Sequence, residues 1–140
     1  MLNFKKTKNG VKMMEFNLKE GLSASSEVTV GGNNTASFYG SGSLEVFATP
    51  AMIALMENAA LKAVQSELPE GFTTVGIEVS VKHIKSTPSG MKVKAEAYVE
   101  RVDRKRLFFK VEAYDEDGKI GEGTHIRYIV NSEEFMGKKK

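Results

Sequence analysis

Hydrophobic periodicity divides the chain into one apolar helix and a run of alternating strands. Over residues 74–84, Val75, Ile77, Val79 and Val81 fall on one face, and Glu78, Ser80 and Lys82 on the other. Residues 91–102 alternate in the same way. So do residues 106–114, with Leu107, Phe109, Val111 and Ala113 inward. Asp115-Glu116-Asp117-Gly118 then reads as a hairpin turn leading to a closing strand over 119–130. Upstream, residues 22–30 end as a strand and Gly31-Gly32-Asn33-Asn34 reads as a turn. Residues 35–39 are expected to pair back, and Gly40-Ser41-Gly42-Ser43 to connect. Thr49-Pro50 is a helix start, since threonine caps free amides and proline suits the first helical position. The helix should reach about Glu67, before Leu68-Pro69-Glu70-Gly71 ends it.

This helix is apolar nearly all round, apart from a stripe made by Asn58, Lys62, Gln65 and Ser66. It needs to be surrounded, and four or more strands with one apolar face each need something to cover. The expected class is therefore α+β, a curved antiparallel sheet wrapped around one long central helix. One small sheet hides so apolar a helix poorly, so two subunits are expected to pair. Residues 1–14 read as a flexible extension without structure, 15–136 as a single domain and 137–140 as a basic tail.

At 140 residues, with 41% hydrophobic and 27% charged, the chain is long enough for a core without disulfide or metal staples. A net charge of +2 carries no nucleic-acid footprint, and the terminal lysines read as solvated. The absence of cysteine excludes disulfides, a thiolate nucleophile and thiolate metal ligands. No apolar run approaches the roughly 20 residues of a membrane span, and no signal-peptide core follows the first lysines. A cytoplasmic protein without a membrane partner is expected. Two histidines without an HExxH pattern make a metal improbable, and no GxGxxG, P-loop or GxSxG motif is present. No cofactor is expected.

Glu57 is the only charge in the first turns of the helix. Its neighbours at three, four and seven positions are Pro50, Ile53, Ala54, Ala60, Leu61 and Val64, all apolar. A carboxylate there must be paired, hydrogen-bonded or neutralised, and such positions often hold acid–base groups. His83 continues the parity of Val79 and Val81, which puts its imidazole on the face toward the helix and in the layer of Glu57. It reads either as a satisfied core residue or as a catalyst. Thr49 reads as a cap, or as a hydroxyl placed at the positive end of the helix for a reacting carbonyl. Eight residues separate Thr49 from Glu57, about 12 Å along the axis. If both serve one centre, they come from different subunits or a substrate spans the gap. Gly76 reads as a bulge residue or as a bare amide for a ligand carbonyl. The two glycines of Gly121-Glu122-Gly123 either bend the closing strand or let a ligand pass close to backbone. Arg127 is a candidate partner for Glu57 or for an anion, and His125 reads as surface or structural.

Several stretches in order resemble the fluoroacetyl-CoA thioesterase-like family of hotdog-fold proteins. They are Val46-Phe47-Ala48-Thr49-Pro50, Leu55-Met56-Glu57, Val75-Gly76 with His83, Thr87-Pro88-Ser89-Gly90-Met91, and Gly121-Glu122-Gly123-Thr124-His125-Ile126-Arg127. The resemblance spans residues 15–135. It implies a hotdog fold paired as a homodimer or a dimer of dimers, with an acyl-CoA as substrate and coenzyme A present only as part of it. It implies a catalytic set of Thr49, Glu57 and His83, with Gly76, Arg127 and Phe47 toward the substrate. The aromatic residues that cover the small substrate of the fluoroacetyl-selective enzyme are replaced here by Gly40-Ser41-Gly42-Ser43, with Phe47 the nearest ring. The implied activity is hydrolysis of a small or medium acyl-CoA of broader or different acyl group. The alternative is a non-catalytic acyl-CoA or small-ligand binding protein.

Overall fold

The computed structural model describes residues 2–6 and 12–137. Its elements are β1 (Leu2–Lys6), β2 (Lys12–Phe16), β3 (Ser23–Thr29), α1 (Ala36–Tyr39), α2 (Thr49–Gln65), β4 (Phe72–His83), β5 (Lys92–Asp103), β6 (Arg106–Asp115), β7 (Gly118–Asn131) and α3 (Ser132–Gly137). Five strands form one antiparallel sheet in the order β3-β5-β6-β7-β4, with α2 packed across it. Strict alternation in β5 and β6 aims Val93, Ala95, Ala97, Val99, Leu107, Phe109, Val111 and Ala113 at the helix. From α2 they meet Met52, Met56, Ala59, Ala60 and Val64, and this layer is the core.

The stripe of polar residues on α2 is bonded to the two sheet edges. Ser26 Oγ donates to Asn58 Oδ1 at 2.5 Å, and Lys62 Nζ donates to the Ser25 carbonyl at 2.7 Å. Gln65 Nε2 donates to the Phe72 carbonyl at 2.9 Å and accepts from Thr73 Oγ1 at 2.7 Å. These contacts fix how α2 is rotated, and so which way Glu57 faces.

Three local expectations are corrected. Residues 35–39 do not pair back as a strand: Thr35 makes one bridge to Phe47 and caps α1, its hydroxyl accepting from the Phe38 amide. In the expected extension, β1 and β2, the latter running on to Phe16, pair as a separate two-stranded sheet instead of lacking structure. Their register sets Leu2 opposite Phe16 and Phe4 opposite Met14. Residues 1, 7–11 and the basic tail Lys138 to Lys140 lie outside the described residues. Finally, the even alternation expected along β4 is broken by a bulge between Gly76 and Glu78, leaving Ile77 49% and Val79 37% exposed.

Candidate active site

The entry into α2 is held from both sides. The Ala48 amide donates to the Asn34 carbonyl at 2.9 Å and the Phe47 amide to the Thr87 carbonyl at 2.9 Å. Ala48 therefore takes the N-cap position without a side-chain cap, and Thr49 becomes the first helical residue. Its hydroxyl, spared from capping, lies 2.8 Å from Nδ1 of His83 at the end of β4. Burial lowers the pKa of His83, a backbone bond at Lys85 opposing it in part. Nε2 of the same ring is buried and has no hydrogen-bond partner among the described residues. Burial of the ring therefore favours its neutral form.

Two turns further along α2, Glu57 faces a second cluster. Its Oε2 lies 3.9 Å from Arg127 Nη1 and 4.0 Å from His125 Nε2. Both partners are buried, whereas the Glu57 side chain is 40% exposed. Arg127 is fixed by donating from Nε to Thr74 Oγ1 at 2.7 Å and from Nη2 to the Thr74 carbonyl at 2.8 Å. Its third contact is Nη1 to His125 Nε2 at 3.1 Å, while His125 Nδ1 lies 2.8 Å from the Glu78 carbonyl. Burial lowers the His125 pKa most, and the Arg127 cation adds to it against the Glu78 bond and the Glu57 charge. Gly76 closes the cluster from below: a Cβ there would stand 2.6 Å from Glu57 Oε2 and 3.0 Å from His125 Cε1.

The expected residues thus fall into two groups within one chain. Thr49 and His83 meet; Glu57, Arg127 and Gly76 meet; and the imidazole beside Glu57 is His125 instead of the expected His83. The burial inferred for Glu57 is also corrected, because Pro50 and Ala54 on its helix face are exposed in the single chain. Phe47 is a core residue, 1% exposed. The rings near the entry to α2 are Phe38 and Tyr39, both exposed and edge-on at 5.7 Å, on a helix tied to that entry by Ala36 N to Val46 O at 2.8 Å. Gly123 serves close strand packing, since a Cβ would strike the Ser80 carbonyl of β4. Sequence reasoning missed Thr74 and His125, although His125 shares the parity of Arg127 two residues on.

Among the described residues no helix is long and apolar enough to cross a membrane. A curled antiparallel sheet around one helix that bears both clusters is the hotdog arrangement of thioesterases. A Thermus thermophilus hypothetical protein described as a thioesterase superfamily member shares it at TM-score 0.78 and 32% identity, over 86% of this chain and 90% of that one. The fluoroacetyl-CoA thioesterase FlK superposes at TM-score 0.81 and 31% identity, over 88% of this chain and 96% of that one. The fluoroacetyl-CoA thioesterase of Streptantibioticus cattleyicolor is 38% identical over 94 residues, 67% of this chain and 68% of that protein. The model of the fluoroacetyl-CoA-specific thioesterase family matches residues 30–133, and the chain belongs to this family of thioester hydrolases.

Proposed function

We propose that this protein is a cytoplasmic homodimer that hydrolyses a small or medium acyl-CoA thioester without metal or cofactor, Thr49 and His83 of one subunit acting opposite Glu57 of the other. The observation that carries the reading is the division of one helix into two half-sites, a hydroxyl–imidazole pair at its start and a carboxylate against a buried guanidinium two turns on. At about 12 Å along the axis, one carbonyl carbon does not reach both within one chain. A second copy would bring them together, and the surfaces it would cover are exposed in the single chain. β4 is an edge strand with Ile77 and Val79 exposed, and the α2 face around Pro50 and Ala54 is uncovered.

In this scheme Glu57 is the base that takes a proton from water as its oxygen bonds to the thioester carbonyl carbon. General-base help of this kind is worth about 10² to 10⁴ in rate. His83, held neutral, donates from Nδ1 to Thr49 Oγ, and the Thr49 proton is then free for the carbonyl oxygen as it gains charge. Collapse of the tetrahedral intermediate breaks the C–S bond and releases a carboxylic acid, and Glu57 passes its proton to the departing thiolate to give coenzyme A. The small residues Gly40-Ser41-Gly42-Ser43 before α2 are the basis for proposing an acyl group other than fluoroacetyl.

A thiol-release assay over short, branched and aromatic acyl-CoAs tests this directly. At least one is hydrolysed, and Glu57→Gln loses about 10² or more of that rate with the dimer intact. Tight acyl-CoA binding without thiol release by the wild type would make the chain a binding protein instead.

A further inference from the structure

His125 has two polar contacts, and each fixes what its ring can be. The Glu78 carbonyl at 2.8 Å from Nδ1 only accepts, so Nδ1 carries the proton. The Arg127 guanidinium at 3.1 Å from Nε2 only donates, so Nε2 carries the lone pair. The ring is therefore a neutral imidazole in a single tautomer, defined by both neighbours. It is 1% exposed, with the Phe109 ring of β6 at 6.1 Å between centroids. The groups that face it are the Glu78 carbonyl from β4, Glu57 from α2 and Arg127 from its own strand.

Arg127 in turn has its Nε and Nη2 committed to Thr74. Without an acceptor at Nε2 of His125, Nη1 would be a buried donor facing only a carboxylate at 3.9 Å. From these contacts we propose that His125 is a positioning residue, whose Nε2 lone pair holds the Arg127 guanidinium flat against Thr74 and at a set distance from Glu57. The guanidinium then faces the carboxylate as a fixed charge instead of collapsing onto it as a bidentate ion pair. Glu57 keeps a free oxygen for its proton transfer, a role that rests on the thioesterase reading. Protonation of His125 would turn Nε2 into a donor opposed to another donor and would undo the arrangement. The bulge in β4 is part of the device, because Glu78, whose carbonyl orients the ring, is the first residue paired after it.

The test joins a spectroscopic readout that needs no substrate to a kinetic one that does. In nitrogen-15 NMR of the full chain, His125 is expected protonated at Nδ1 and bare at Nε2. It should remain so at about pH 6, where an unperturbed imidazole is mostly charged. The Arg127 Nη protons should be resolved and slow to exchange, and in His125→Phe they should average. A proton on Nε2, or Arg127 signals unchanged in His125→Phe, overturns the proposal. In kinetics, His125→Phe should lower kcat by about 10- to 100-fold with little change in KM. His125→Gln, whose amide oxygen replaces the acceptor, should recover most of the loss. Two variants equally impaired in proportion to their folded fraction would reduce His125 to a packing residue and overturn the proposal. If wild type releases no thiol, the enzymatic reading falls separately, and the ring and guanidinium signals alone decide the placement of Arg127.

Discussion

The Glu57 carboxylate rests on a strand that has no side chain where the two meet. With a Cβ at position 76 only 2.6 Å from Oε2, a single methyl group is enough to push the carboxylate off its seat beside Arg127 and His125. Gly76→Ala should therefore cut kcat by about 10² and lower the melting temperature, because the buried His125 ring must shift as well. Steady-state kinetics beside a thermal melt check this, and full turnover in the variant would show that the seat is not needed. This seat is a second reason for a glycine at position 76, beside the reading of it as a bare amide for a ligand carbonyl. Glu57 itself was legible in the sequence, since a lone charge among apolar neighbours on a helix is a local anomaly. His125 was not. Its part depends on which carbonyl of β4 lies opposite, and that follows from a bulge that no local pattern announces. The role of Thr49 as a cap failed for a similar reason, because an amide-to-carbonyl bond across 14 residues, Ala48 to Asn34, sets where the helix begins.

Among the elements, β5 and β6 are the most legible, because both lie inside the sheet and one face of each is buried over residues 93–99 and 107–113. The edge strand β4 obeys its pattern least, since its exposed row has no helix above it. The loop before β5 is held by a clasp that no periodicity shows. Asp115 at the β6–β7 turn accepts from Thr87 Oγ1 at 2.8 Å, from Lys85 Nζ at 3.1 Å and from the Asp117 amide at 2.8 Å. The clasp bears on the site because the Thr87 carbonyl holds the Phe47 amide two residues before Thr49. Burial alone would raise the Asp115 pKa, but the bonds from Thr87, Asp117 and Lys85 outweigh it and hold it below the usual carboxylate range. A depressed folded pKa stabilises above the unfolded value of about 3.9 and is lost as pH falls through the folded one. Asp115→Asn should then cost about 1–3 kcal/mol at neutral pH, and its deficit in denaturant titrations should shrink on acidification below about pH 4. A deficit that stays constant into acid would mean that the Asp115 charge contributes nothing to the clasp.

At the scale of the whole molecule, the two half-sites on α2 make a claim about how many chains one reaction needs. In a two-fold dimer each centre would take Thr49 and His83 from one copy and Glu57 from the other, and the two centres would be equivalent. A Glu57→Gln chain keeps its hydroxyl–imidazole half, and a His83→Ala chain keeps its carboxylate half. Each homodimer therefore has no complete centre. A heterodimer of the two has one complete centre and one that is doubly defective. Random pairing of equal amounts makes half the dimers mixed, so the population should regain about one quarter of wild-type turnover. Co-refolding the two variants at equal concentration and measuring thiol release against each alone reads the outcome. If each centre were built from a single chain, mixing would restore nothing, because every chain in the mixture lacks either Glu57 or His83. Adding Val79→Lys to both chains should abolish the recovery by placing charge on the exposed edge of β4, with size-exclusion chromatography following the loss of the dimer. Recovery that survives with monomeric chains would place the pairing surface elsewhere than on β4.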